Sequence, residues 1–157
     1  MRHAAHKVPE HVPEISMPAL SLTQPWATLV ICGAKRLESR SWGTAYRGNL
    51  AIHAARRMPD EARHACYEQP FLDALVRAGI TRLDLLPRGL VLGTVTLADC
   101  RQQAYNEPMP DEPEASFGDF STGRWIWTLD SPIPLSQPEP ARGKLGLWIW
   151  YWDGEAG

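Results

Sequence analysis

The sequence has few cysteines, and their spacing fits neither a metal site nor a disulfide framework. Cys32, Cys66 and Cys100 are widely separated and odd in number, and none of them forms a C-x-x-C pair. We therefore expect small buried apolar side chains at all three positions, and we expect no metal and no other cofactor. A glycine-rich phosphate loop and a G-x-S-x-G nucleophile motif are missing as well.

Long hydrophobic runs are also missing. The apolar run at residues 27–32 is far shorter than the ~20 residues that cross a bilayer. The N-terminal segment contains Arg2, His3, His6 and Lys7 but no apolar stretch after them, so it does not match a signal peptide. We expect a cytoplasmic protein with no membrane partner.

The chain lacks the excess of positive charge that proteins coating nucleic acid carry. Its formal net charge is −2, which argues against binding long duplexes by bulk electrostatics. The charge is unevenly distributed, however. Residues 33–57 hold six basic residues and one acid, whereas residues 107–119 hold five acids and no base. One face can therefore attract a phosphate while the whole molecule stays acidic.

At 157 residues with 44% hydrophobic residues, the chain has the size and composition of one soluble domain. Residues 1–18 contain histidine and proline without a periodic apolar pattern, so we predict a disordered leader there. The folded domain is expected to span residues 19–153.

Strands outnumber helices in the predicted secondary structure. Pro25 suits a helix start and Gly33 a helix end, Pro70 splits a helical region in two, and Leu37 is expected to point inward from its strand. Most strands are not separated by crossover helices, which favours an α+β fold, a barrel of mixed or antiparallel strands with short helices outside. The predicted strands are residues 20–22, 35–41, 49–54, 90–97, 124–129 and 145–152; the helices are 26–32 and two within 59–79; a loop covers 102–121.

Amide, ammonium, carboxylate and guanidinium groups are concentrated in one short block near the N-terminus. Polar groups of four kinds, interspersed with apolar residues, do not match the pattern of a solvent-exposed helix face. The block predicts a ligand site built from a helix end, a loop and two strands. The block consists of Gln24-Pro25-Trp26-Ala27, Gly33 to Arg40, Tyr46-Arg47-Gly48 and Ile52-His53-Ala54.

At these residues the chain resembles the ASCH domain family, whose signature G-x-K-x-x-E-x-R is present as Gly33, Lys35, Glu38 and Arg40. The resemblance extends over about residues 20–152. It implies a PUA-like β-barrel with a cleft that binds RNA, a nucleotide or a modified nucleoside.

The resemblance also raises the alternative of an enzyme. Some bacterial members hydrolyse N4-acetylcytidine with the signature lysine, a threonine three residues later and a glutamate on a later strand, and at least one member is a ribonuclease. In this chain Lys35 matches the lysine, Glu38 stands at the threonine position and Asp99 is the most suitable later acid. Binding module and hydrolase therefore both remain open.

Four residues are candidates for catalysis. Lys35, if desolvated, could act as a base or nucleophile, and Glu38 or Asp99 could transfer the proton. The alternative is a structural Glu38–Arg40 ion pair with Lys35 in solvent. His53 is either a hydrogen-bonded core residue or, facing the cleft, a group for proton transfer.

Binding is assigned to residues that combine aromatic and polar character. Aromatic rings beside basic groups can stack a base and hold its phosphate. Trp26 could equally anchor its helix to the core, and the turn containing Lys144 could simply be solvated. Tryptophans at spacing two in the last two strands predict cross-strand packing ladders. The candidate binding residues are Gln24, Trp26, Arg40, Trp42, Tyr46 and Lys144.

Overall fold

A computed structural model describes residues 15–152. Six strands form one sheet in the order β2-β5-β4-β3-β1-β6. The strands are β1 (Ile15–Leu22), β2 (Leu37–Arg40), β3 (Gly48–Ala54), β4 (Leu90–Gln102), β5 (Trp125–Pro140) and β6 (Leu147–Trp152). The helices are α1 (Trp26–Ile31), α2 (Asp60–Ala65), α3 (Phe71–Arg77) and α4 (Glu114–Phe117), with a 3-10 turn at Leu83–Leu85.

The sheet is mixed, because β1 and β3 run parallel while all other neighbouring strands are antiparallel. The predicted mixed sheet with short helices is confirmed. Closure into a barrel is not confirmed, since β2 and β6 end the hydrogen-bonded order and do not pair with each other within residues 15–152. Within the same range, no helix combines the length and the apolar character that crossing a membrane requires.

Strand β1 includes residues that the sequence placed in the predicted leader. Residues 15–18, which the sequence placed in the leader, form the first half of β1 and pair with β6. The rest of the predicted leader and the predicted domain end at residue 153 lie outside the described residues.

Two apolar clusters lie on either side of α1. In the first, Val30 of α1 packs with Ile52 of β3 and Trp127 of β5. In the second, Leu29 faces Phe71 of α3 and Phe117 of α4. The helix therefore joins the sheet to the other helices.

The two tryptophan-rich strands do not form a ladder with each other. Strand β5 and strand β6 are separated in the sheet by β4, β3 and β1. Trp127 packs in the cluster below α1, whereas Trp148 and Trp150 pack in a third cluster with Ala19 and Ala51. The tryptophan spacing of two residues correctly predicted two strands. The order of the strands in the sheet, however, determines which residues each tryptophan packs against.

The cysteine prediction is confirmed for two of the three residues. Cys66 and Cys100 are buried, and Cys32 is exposed at the end of α1. Burial raises the pKa of the Cys66 thiol, so it behaves as a small apolar side chain.

Candidate ligand site

A cavity of about 470 Å³ lies where β1 ends, α1 begins and β2 passes α4. We call it the signature cavity, because two residues of the G-x-K-x-x-E-x-R motif line it. Its size is within the range of small-molecule sites. Its lining residues are Ser21, Leu22, Thr23, Trp26, Glu38, Ser39, Arg40, Ser116, Phe117, Gly118 and Asp119.

The turn after α1 determines which signature side chains reach the cavity. Gly33 has φ +86°, a conformation that glycine adopts without strain. The Lys35 amide then donates to Leu29 O at 3.0 Å, and the strand begins only at Leu37. Because Lys35 precedes the strand, strict alternation does not apply to it, and its side chain can approach Glu38.

Lys35 and Glu38 form a buried pair. Lys35 Nζ lies 3.9 Å from Glu38 Oε1, with side-chain exposures of 0% and 11%. The ammonium also donates to Leu37 O, and Glu38 Oε1 accepts from the Ser39 amide at 2.8 Å. The alternative of a solvated Lys35 is therefore wrong. The predicted inward orientation of Leu37 is also wrong, because Glu38 is the buried residue of β2.

Arg40 is the cation on the cavity wall. Its guanidinium carbon lies 5.4 Å from the centre of the Trp42 ring, a cation–π arrangement. It forms no ion pair with an acid of residues 15–152, so the predicted Glu38–Arg40 pair is absent there. Within the same residues, its buried Nε has no hydrogen-bond partner.

Trp26 forms the aromatic wall. Its Nε1 donates to Phe117 O at 2.7 Å, and its ring meets Phe71 edge-on at a centroid distance of 5.8 Å. The indole is thereby fixed at the cavity while part of it remains exposed. Trp26 therefore anchors α1, which is one of the two roles expected from the sequence, and it also lines the cavity.

The opposite wall comes from residues far away in sequence. Ser39 Oγ donates to Asp119 O, and Arg124 donates to the Ser39 hydroxyl and carbonyl at 3.1 and 3.0 Å. The bond to Asp119, together with an ion pair of 3.7 Å between Arg124 and Asp119, holds the end of the segment from Ser116 to Asp119 against β2. This wall was not predicted, because it lies in the predicted loop and no local sequence pattern marks it.

Four of the six candidate binding residues do not line the signature cavity, namely Lys144, which lies elsewhere, and three residues close to the cavity. Gln24 is fully buried. Its side-chain Nε2 donates to Pro87 O and to the Thr28 hydroxyl, each at 2.8 Å. Tyr46 donates its hydroxyl to Asn49 O at 2.6 Å. Trp42, beneath the Arg40 guanidinium, meets Trp127 edge-on at 4.9 Å. All three stabilise the surroundings of the cavity.

Asp99 is not brought to the signature residues. Its side chain is 54% exposed and lies 3.8 Å from the Arg47 guanidinium. It does not line the signature cavity. Lys35 and Glu38 therefore converge without the later acid.

His53 belongs to a hydrogen-bonded chain behind the cavity. Strand pairing places it beside Ser21, with Oγ to Nδ1 at 2.9 Å, while Nε2 lies 2.8 Å from Ala141 O. The carbonyl can only accept, so Nε2 carries the proton and the Ser21 hydroxyl donates to Nδ1. Trp148 Nε1 donates to Ser21 Oγ at 3.1 Å. Burial lowers the pKa of His53, which favours the neutral ring.

A second and larger cavity, of about 1120 Å³, opens on the other side of Ser21. It contains Lys144, which therefore lies apart from the signature residues, and we call it the basic cavity. Its lining residues are Ser21, His53, Ala55, Arg56, Arg57, Arg88, Gly89, Pro140, Ala141, Arg142, Gly143, Lys144 and Leu145. Within residues 15–152, no three side chains of His, Cys, Asp or Glu are grouped closely enough to hold a metal.

Comparison with known proteins identifies the family. A protein-family sequence model described as the ASCH domain matches residues 20–131 of this chain. Activating signal cointegrator 1 from Mus musculus and from Homo sapiens are each 31% identical to this chain over 131 residues, which are 82% of this chain and 21% of theirs. The chain thus spans about a fifth of the length of these curated relatives.

Solved structures add one further likeness. A crystal structure of an ASCH protein from Zymomonas mobilis matches with a TM-score of 0.46 at 17% identity, covering 78% of this chain and 72% of that one. Family membership does not depend on this structural likeness, because the ASCH family model matches well over half of the 157 residues. The chain belongs to the ASCH domain family.

Proposed function

We propose that the signature cavity binds a base of single-stranded RNA, of a nucleotide or of a modified nucleoside. The observation that supports this most directly is Arg40, a cation on the cavity wall without an ion-pair partner among the described acids. An unpaired guanidinium in a partly enclosed site is a strong donor for a phosphate or carbonyl oxygen.

The other walls complement a base. Trp26 offers an aromatic surface for stacking, which is sequence-tolerant because every base has a π-face. Glu38 lines the cavity, and its Oε2 accepts none of the hydrogen bonds made within residues 15–152. It can accept from an amino or imino group of the base edge. Stacking surface, acceptor and donor thus lie around one cavity.

Hydrolysis of the same ligand is the second candidate, and one observation favours it. Lys35 lies 3.9 Å from Glu38, which lines the cavity, so a lysine lies directly behind an acid of the cavity wall. However, Lys35 is enclosed and donates to a backbone carbonyl, and Asp99 and His53 lie elsewhere. Binding is therefore the function that this geometry supports better.

The test compares Arg40→Gln with Arg101→Gln. Arg101 is exposed on β4 and paired with Glu107, so the control removes the same charge away from the cavity. Binding of a nucleoside panel and of a short single-stranded RNA is measured by calorimetry. Loss of one charge-assisted hydrogen bond costs about 1.5–3 kcal/mol, or roughly 10- to 150-fold in affinity, and only the Arg40 variant should show it.

Mass spectrometry of the same mixtures separates the two candidates. Unchanged ligand after incubation with the wild-type protein supports a binding module, and a product formed by the wild type supports a hydrolase and identifies the bond. Equal affinities of wild type and Arg40→Gln would contradict the proposed site.

A further inference from the structure

The basic cavity concentrates positive charge without counter-charge. Five cations line it and no Asp or Glu does. None of the five forms an ion pair within residues 15–152, whereas Arg36, Arg47, Arg82, Arg101 and Arg124 are each paired with an acid. The five are Arg56, Arg57, Arg88, Arg142 and Lys144. A protein of net charge −2 therefore has one strongly basic concave surface.

Hydrogen bonds to backbone carbonyls bring these cations together from three loops. The Gly89 amide donates to Ala54 O at 2.8 Å, and the Ala141 amide donates to Gly89 O at 3.2 Å. Arg88 Nη1 donates to Arg56 O at 3.2 Å. The loops after β3, before β4 and before β6 are thus tied to one another, which holds like charges close together at an electrostatic cost. Such an arrangement suits a polyanionic ligand.

Ser21 connects the two cavities, since it lines both. The loop before β6 packs directly on it, because a Cβ added at Gly143 would lie 2.6 Å from Ser21 Oγ and 2.7 Å from His53 Cε1. Arg142 and Lys144, on either side of Gly143, are therefore placed at the boundary between the cavities. A ligand that leaves the signature cavity across Ser21 meets these two cations.

We propose that the basic cavity holds the phosphates of a single-stranded polynucleotide whose base occupies the signature cavity. The ligand would then have at least two nucleotides, with its backbone crossing Ser21. Aromatic stacking beside a basic groove that follows the backbone is the general arrangement of single-strand binding. The basic cavity is also more than twice as large as the signature cavity, enough for more than one phosphate. This inference rests on the proposed function.

The test compares Arg142→Ala/Lys144→Ala with Arg77→Ala/Arg101→Ala. Each pair removes two exposed positive charges, and the second pair lies outside both cavities. Affinity for an eight-nucleotide single-stranded RNA is measured from 50 to 200 mM salt, and affinity for an uncharged nucleoside is measured beside it. Thermal melting of all variants verifies folding.

We expect the Arg142/Lys144 variant to bind the RNA roughly tenfold more weakly at 50 mM salt, with the salt slope reduced by about 1.4, or 0.7 per lost phosphate contact. Its nucleoside affinity should equal that of the wild type, and the control should match the wild type in both. If the double variant and the control bind RNA equally well, the phosphate subsite is overturned.

Arg40→Gln distinguishes the two proposals. Weaker binding of nucleoside and RNA by this variant, with RNA binding unchanged in the Arg142/Lys144 variant, would overturn only the subsite. Unchanged binding of both ligands by Arg40→Gln would overturn the proposed function. Binding of polyglutamate of matched charge as tightly as the RNA would overturn the assignment to a polynucleotide.

Discussion

Replacing Lys35 by methionine should destabilise the fold far more than replacing its exposed neighbour Arg36. Methionine preserves most of the apolar volume but leaves the Glu38 carboxylate, 11% exposed, without its counter-charge. Breaking a buried ion pair on one side costs about 3–5 kcal/mol. That is a large part of the 5–15 kcal/mol by which a typical domain is stable.

Urea denaturation followed by tryptophan fluorescence measures this loss, and seven tryptophans provide the signal. A loss of 3–5 kcal/mol corresponds to a fall in melting temperature of roughly 6–20 °C for a chain of this size. Arg36→Met is the matched control. Arg36 is 69% exposed and pairs with Asp130 at 3.2 Å, so its removal should cost less than about 1 kcal/mol.

Lys35→Met/Glu38→Gln completes the cycle. The amide keeps an acceptor for the Ser39 amide but removes the buried charge, so most of the stability should return. If the free energy of unfolding of Lys35→Met lies within about 1 kcal/mol of the wild-type value, the contribution proposed for the buried ion pair is refuted. A double variant as unstable as Lys35→Met would also refute it, because the loss would then come from packing.

Two further predictions concern buried residues that do not line the signature cavity. Gln24→Leu should cost about 1–3 kcal/mol, because Pro87 O and the Thr28 amide lose their internal partners, and RNA affinity of the folded protein should not change. His53 should make stability depend on pH: its pKa is lowered by burial, so its contribution is complete above the unfolded value of about 6.5. It is lost as the pH falls through the lower folded value, which urea denaturation between pH 8 and 5 measures.

Each of these predictions has a control. Gln24→Glu keeps one acceptor but adds a charge at a fully buried position, so it should be less stable than Gln24→Leu. His53→Gln cannot titrate, so its stability should vary less than that of the wild type between pH 7 and 5. A Gln24→Leu variant that folds normally but loses RNA binding would show that Gln24 contacts the ligand. An identical pH profile in His53→Gln would assign the titration to another group.

Local sequence patterns predicted the elements well where backbone chemistry determines them. Helix α1 lies between Pro25 and Gly33, and Pro70 lies between α2 and α3. The run from Leu90 to Leu97 is a strand, although β4 continues to Gln102 and β5 extends to Pro140. The extensions were missed because they contain polar and proline residues, which pairing with a neighbouring strand accommodates.

The candidate site was predicted in part. The block from Gln24 to Arg40 does surround a cavity, through Trp26, Glu38 and Arg40. Sequence could not show that Gln24 and Lys35 turn away from it, because their partners, Pro87 O and Leu37 O, are backbone atoms placed by the fold.

The sequence by itself determined the family, the short helices at their proline and glycine boundaries, and the types of side chain available for a ligand. The tertiary structure decided which of them are accessible. Parallel pairing of β1 with β3 places Ser21 beside His53, and a hydrogen bond between His53 Nε2 and Ala141 O joins two residues that are 88 positions apart in the sequence. Side-chain spacing follows from local backbone geometry, whereas such meetings follow from strand order and register, which depend on the burial of the whole core.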